Sequence, residues 1–296
     1  MSHDAAELRS IWSFLDQLEF TQGYVDAGGV RTRYVRAGSP DAPALVMVHG
    51  MGGSWENFIG NFAELSKSFN TYAFDLVGHG YSAKPPQTYQ VRDYVKQLGH
   101  FIDAMGLKRV NLLGLSIGGW VSTRYTIENP DRVEKLIVLS AWGRPREDQT
   151  PEVQATGNAE LAKRLKAVDE PTYEAMDAVF AGLIANPKDR MRDLLTLRLR
   201  LYQQAGMPEV MRNVFGGLAP GVWEQNMLTD DELKSVSRPT MVVACVNHPD
   251  IFLKNAHEYR ALIPGVQWKE LTYASHWPQW EEAEELNRTC LEFFNG

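Results

Sequence analysis

Short apolar runs of strand length alternate with helix-length amphipathic stretches through the first half of this chain, and that rhythm restricts the fold more than any other feature. Gly29-Val-Arg-Thr-Arg-Tyr-Val-Arg alternates like a half-exposed strand, and Ala44-Leu-Val-Met-Val-His is a continuous apolar run like a fully buried one. Thr71-Tyr-Ala-Phe-Asp follows, then a helical pattern from Tyr89 to Met105, Val110-Asn-Leu-Leu-Gly, a second helical pattern from Ile117 to Asn129, and Val133-Glu-Lys-Leu-Ile-Val-Leu. Strands joined through helices run parallel, so the alternation predicts a parallel sheet covered by helices on both faces. The rhythm stops near Trp142. Residues 144–233 read as helix only, in pieces punctuated by Pro151, Pro171, Pro187, Pro208 and Pro220. It resumes with Pro239-Thr-Met-Val-Val-Ala-Cys-Val, Val266-Gln-Trp-Lys-Glu-Leu and a closing helix from Trp280 to Phe294. The parse is an α/β core over 23–143 and 234–296, with a helical cap at 144–233 lying over the carboxyl edge of the sheet. Residues 7 to 18 put Leu8, Ile11, Trp12, Leu15 and Leu18 at helical spacings, so an N-terminal amphipathic helix is expected within 1–22, docked on its own domain or at a homodimer contact.

Composition narrows the partners. The 296 residues carry 30 basic and 37 acidic side chains with no basic run to track a phosphate backbone, so nucleic acid is not an expected partner. No apolar stretch approaches bilayer length, and the N-terminus lacks a basic n-region followed by an apolar h-region. A cytoplasmic protein with no membrane partner is expected. Cys245 and Cys290 are too few and too scattered for a disulfide framework or a zinc site and are expected as buried thiols. No metal or other cofactor is expected; the partner is a small-molecule substrate.

Gly114-Leu-Ser116-Ile-Gly118-Gly119 closes an apolar strand and opens a helical pattern, which is the setting that gives a G-x-S-x-G match chemical meaning. Small residues at 114 and 118 permit the tight turn that projects Ser116, and the helix N-terminus favours developing negative charge there. His49-Gly50-Met51-Gly52-Gly53 follows another buried strand, and its backbone can face the same point. The predicted oxyanion hole is the N–H of Ile117 with the N–H of Met51. A serine hydroxyl needs a base, and of the seven histidines His276 alone lies after the last strand and before the last helix. His79 sits in the glycine-rich turn Asp75-Leu-Val-Gly-His-Gly-Tyr-Ser, ahead of the serine, where an architectural role is expected. The acid that orients the imidazole belongs after the Thr240–Val246 strand, where Asp250 is the loop's only carboxylate.

Together these segments resemble the α/β-hydrolase superfamily over nearly all of the chain after residue 24. The resemblance implies an eight-stranded, mostly parallel sheet, a cap after the sixth strand and a Ser116–Asp250–His276 triad. Within the superfamily, Ser275-His276-Trp277-Pro278-Gln279-Trp280-Glu281-Glu282 and the cap segment Leu194 to Tyr202 are similar to the meta-cleavage-product hydrolases, which cut carbon–carbon bonds in ring-fission dienoates, and to related esterases. That resemblance implies a carboxylate-binding arginine, placed at Arg198, with Gly50, Trp142, Trp223 and Trp277 around the substrate. Leu115 stands where those enzymes usually have Asn, and an ungapped count from the histidine puts the acid position on His248 instead of Asp250. The implied activity is cleavage of an ester or of a carbon–carbon bond next to a carbonyl. The alternatives are a carboxylesterase or lactonase of broad specificity, or a small-molecule receptor with little turnover.

Overall fold

The computed structural model describes residues 10–145, 151–217, 219, 221–247 and 251–296, with the backbone alone described over 151–157. Eight strands form one sheet: β1 (Phe20–Ala27), β2 (Val30–Ala37), β3 (Ala44–Val48), β4 (Asn70–Phe74), β5 (Val110–Leu115), β6 (Val133–Leu139), β7 (Thr240–Cys245) and β8 (Gln267–Leu271). Their order is β1-β2-β4-β3-β5-β6-β7-β8. The pairs β1/β2 and β2/β4 are antiparallel and all others parallel. Every residue of β3, β4, β5 and β7 is buried, as expected where helices cover both faces. The helices are α1 (Ile59–Leu65), α2 (Val91–Ala104), α3 (Ile117–Glu128), then α4 (Pro151–Asp169), α5 (Tyr173–Phe180), α6 (Arg192–Tyr202), α7 (Met207–Gly216) and α8 (Asp230–Lys234) between β6 and β7, and finally α9 (Ile251–Leu262), α10 (Pro278–Glu281) and α11 (Ala283–Asn295). Among the described residues, no helix is long and apolar enough to cross a membrane.

Two expectations at the start of the chain need correction. Of the amphipathic helix expected over 7–18, the described part, 10–18, holds only a five-residue 3-10 turn, Ile11–Leu15, capped by Ser10 Oγ, which accepts from the Trp12 N–H at 3.2 Å. Leu8 lies outside the described residues. Asp193 holds Ser10 and the Ile11 N–H at the start of the turn, which seats Ile11 and Leu15 in the core while leaving Trp12 half exposed. The sheet also begins earlier than residue 23, because Phe20 opens the edge strand β1, which pairs with β2 through the two-residue turn Gly28-Gly29, both glycines at positive φ.

The cap is fastened at several points. Arg124 of α3 donates to Asn226 O and Met227 O, both at 2.9 Å, and pairs with Glu232 of α8 at 2.9 Å. Arg144 pairs with Glu258 of α9 at 2.7 Å and also holds Asp230 and Leu228 O. Asp193, in the first turn of α6, accepts through one oxygen from Ser10 Oγ at 2.8 Å and from the Ile11 N–H at 2.7 Å. A buried ionic cluster supports the other side of the sheet edge. Arg33 of β2 donates to Asp75 at 2.6 Å and to Glu56 at 2.9 Å, and Asp75 also accepts from the backbone N–H groups of Trp55 at 2.9 Å and Tyr81 at 2.8 Å.

Candidate active site

Ser116 sits between β5 and α3 with φ 56 and ψ −119, and Ser140 at the end of β6 has φ 46; these are the only non-glycine residues at positive φ among those described. Such a conformation costs on the order of 1–3 kcal/mol and persists only where its surroundings enforce it. The enforcement is visible. The Ser116 N–H donates to Leu139 O at 2.9 Å, and a methyl built on Gly114 or Gly118 would stand 2.4 Å from Gly118 O or 2.1 Å from Val48 O. Only glycine fits those two places, so the turn closes and Ser116 becomes the N-cap of α3.

The loop after β3 faces this serine. A methyl built on Gly50 would lie 3.4 Å from Ser116 Cβ, which puts Met51 next to the site. Ile117 is the first residue of α3, so its N–H has no intrahelical acceptor. Met51 N takes no hydrogen bond among the described residues. His49 braces this loop from behind: its Nε2 accepts from the Leu76 N–H at 2.9 Å, so Nδ1 carries the proton and donates to Gly50 O at 2.7 Å. Burial pushes His49 down to about 3, with Arg198 and Arg33 adding to the effect, and burial beside His49 likewise pushes His79 down to about 3. His79 is buried in its turn against His49 and Tyr94, the architectural place expected of it.

These two histidines carry a pH prediction. The unfolded chain takes up their protons near the ordinary value of 6.5 and the folded chain resists until about 3. Stability is therefore full above 6.5 and falls as pH drops through that window, by about 1.4 kcal/mol per unit and per histidine. Glu56 and Glu281, whose pKa values burial raises, work the other way above 4.5 and offset part of that loss. Calorimetry is expected to show a lower Tm at pH 5 than at pH 7; an equal or higher Tm at pH 5 would contradict the buried neutral pair.

His276 is buried in the loop between β8 and α10, with Phe252 of α9 against its ring at a centroid distance of 4.0 Å. Ser140 Oγ donates to His276 O at 2.8 Å, so the strained end of β6 anchors the histidine's backbone beside the strand that carries Ser116. Asp250 and His248 lie outside the described residues. Trp142 stands between Trp120 and Phe252, 6.0 Å from each, in an aromatic row that ends on His276. Trp277 is buried and packs edge-on against Phe180 of α5 at 5.3 Å. Trp223 packs half-buried at the start of the turn Glu224–Asn226, on the segment that Trp120 and Arg124 hold to α3.

Arg198 of α6 is only 4% exposed, its guanidinium 5.2 Å from the Phe180 ring and 5.7 Å from the Tyr202 ring. A methyl built on Gly52 would stand 3.5 Å from Arg198 Nη1, so the cation abuts the loop that faces Ser116. Among the described residues it has no ion pair and no hydrogen-bond acceptor. No group of three or more His, Cys, Asp or Glu suited to a metal occurs among those residues.

The family model of the alpha/beta hydrolase fold matches residues 43–283. The chain belongs to that family. This α/β-hydrolase is 26% identical over 97% of its length to a carboxylesterase of Bacillus subtilis, of which the match covers 90%. It is 27% identical over 90% of its length to a 2-hydroxy-6-oxo-2,4-heptadienoate hydrolase of Pseudomonas putida, covering 94% of that protein. Its fold matches a 2-hydroxy-6-oxo-6-phenylhexa-2,4-dienoate hydrolase from a Rhodococcus species with a TM-score of 0.84 at 20% identity, over 95% of this chain and 100% of the other. This α/β-hydrolase is thus an enzyme of the hydrolase class, among relatives that act on esters or on carbon–carbon bonds.

Proposed function

We propose that this enzyme is a serine hydrolase that cleaves an ester, or a carbon–carbon bond next to a carbonyl, in a small and largely apolar substrate that also bears a carboxylate. The observation that carries the carboxylate is Arg198. A guanidinium withdrawn from water without a counter-ion is costly, and an acid group entering the pocket supplies the missing partner with bidentate geometry. Ser116 attacks the carbonyl as His276 takes its proton, the N–H groups of Met51 and Ile117 hold the oxyanion, and Asp250 orients the imidazole. With an ester, His276 returns the proton to the leaving alcohol and water then releases the acyl group from Ser116. With a carbon–carbon bond, the electron pair of the breaking bond is delocalised towards the acid-bearing end that Arg198 holds, His276 gives its proton to the departing carbon, and water again releases the acyl group from Ser116. Phe180 and Tyr202 flank the Arg198 guanidinium and Phe252 packs on the His276 ring, surroundings that suit a largely apolar substrate.

Hydrolysis of a ring-fission dienoate against short p-nitrophenyl esters separates the two chemistries. Arg198→Ala is expected to lower kcat/KM on the dienoate by about a hundredfold, the cost of losing one partner of a desolvated pair, and to change a neutral ester by no more than about threefold. An equal loss on both substrates would remove the carboxylate from the proposal. The reading as a broad carboxylesterase is favoured by the full-length similarity to the Bacillus subtilis carboxylesterase, and turnover of neutral esters alone would select it.

A further inference from the structure

Two carboxylates tie the loop that carries His276 to the cap: Asp189 of the cap accepts from the Tyr273 hydroxyl at 2.8 Å, and Glu281 bonds the residue next to His276. Glu281, half-buried in α10, accepts through Oε2 from the Ser275 N–H at 2.8 Å, and the same oxygen lies 2.7 Å from Ser275 Oγ. Its Oε1 accepts at 3.1 Å from the Ala185 N–H, in the cap connection between α5 and α6. Ser275 Oγ closes the triangle. It accepts from the same Ala185 N–H at 3.1 Å and stands 2.8 Å from Leu183 O, so its single proton goes either to that carbonyl or to Glu281. The adjacent Glu282 offers a contrast, since it accepts from the N–H groups of Tyr273 at 3.0 Å and Ala274 at 2.7 Å and so shapes the loop without touching the cap.

We infer that Glu281 is a positioning residue that joins the His276 loop and the cap segment from Leu183 to Ala185 into one unit, so that the seating of the cap sets the placement of the base. The inference rests on reading Ser116 and His276 as nucleophile and base. Ser275 is the covalent neighbour of His276, and a displacement of about 1 Å between reacting groups costs on the order of a hundredfold in rate. A glutamine cannot replace the carboxylate. Both oxygens face a backbone N–H, so whichever way the amide turns, its NH2 meets a donor.

The test compares the full-length wild type with Glu281→Gln and Glu282→Gln on p-nitrophenyl acetate, too short to fill the cap, and p-nitrophenyl octanoate, which reaches into it. For Glu281→Gln, kcat on the acetate is expected to fall about tenfold with KM nearly unchanged, and the octanoate-to-acetate ratio of kcat/KM to fall about fivefold further. Glu282→Gln is expected to leave that ratio as it is. Should Glu281→Gln not fold, Ser275→Ala removes the hydroxyl shared with Leu183 and Ala185 and reads the same ratio. A folded Glu281→Gln with the wild-type kcat or the wild-type ratio overturns the inference. Labelling of the wild type by a fluorophosphonate tells the two levels apart: no labelling refutes the nucleophile and base themselves, and normal labelling with an unaltered ratio refutes the latch alone.

Discussion

Replacing Ser116 by alanine is expected to lower kcat by about 10⁴ to 10⁶-fold on every accepted substrate while KM changes little, because the step lost is the formation of the covalent intermediate. The expectation comes from strain in the backbone of Ser116 and not from the motif alone. A serine at φ 56 with its N–H on Leu139 O is held against its own preference at the mouth of a helix, where nothing in the packing requires a hydroxyl. Ser116→Gly sharpens the test. Glycine accepts that backbone conformation without cost, so the variant should be inactive and yet more stable by about 1 kcal/mol in urea titration. Undiminished hydrolysis in either variant would sink the assignment. An inactive Ser116→Gly that is markedly less stable would mean that the serine serves the fold.

The second large effect is on stability. Asp75 is fully buried and accepts from Arg33, Trp55 N and Tyr81 N, so Asp75→Ala leaves two backbone donors without an acceptor and an almost fully buried guanidinium with Glu56 as its remaining partner. Breaking such a cluster costs about 3–5 kcal/mol, which for a chain of this size is a fall in Tm on the order of 10 °C. An unfolding free energy from denaturant titration within about 1 kcal/mol of the wild type would show that the cluster stabilises far less than its geometry suggests. Asp75→Ala should therefore fail as a folded protein before it fails as a catalyst.

The elbow at Ser116 was legible because its physical demands fall on consecutive residues: an apolar strand, two glycines around a serine, and a helix start. The same holds for β3, β4, β5 and β7, whose continuous burial writes a continuous apolar run. Strand β1 escaped notice because it is an edge, with only Ala27 buried and Thr21, Gln22 and Gly23 diluting its pattern, although the Gly28-Gly29 turn marked the hairpin. The start of the chain misled because Ile11 and Leu15 are four apart whether they belong to a long helix or to one short turn that buries both. Arg198 could be placed from the cap segment around it, but its lack of a counter-ion is a property of the folded surroundings. Glu281 could not be found at all. Its role lies in bonds to Ser275 and to Ala185, and the second of these spans 96 positions of sequence.

The grip of Asp193 on Ser10 and Ile11 ties a 183-residue span of chain into a loop, with the first described residues at one end and the helix of Arg198 at the other. A polypeptide emerging in order from its amino end must keep Ser10 waiting until α6 has emerged, so this clasp cannot close before about two thirds of the chain is made. Arg198 lies five residues beyond Asp193 on the same helix, so the clasp holds from one end the element that sets the cation beside the Gly52 loop.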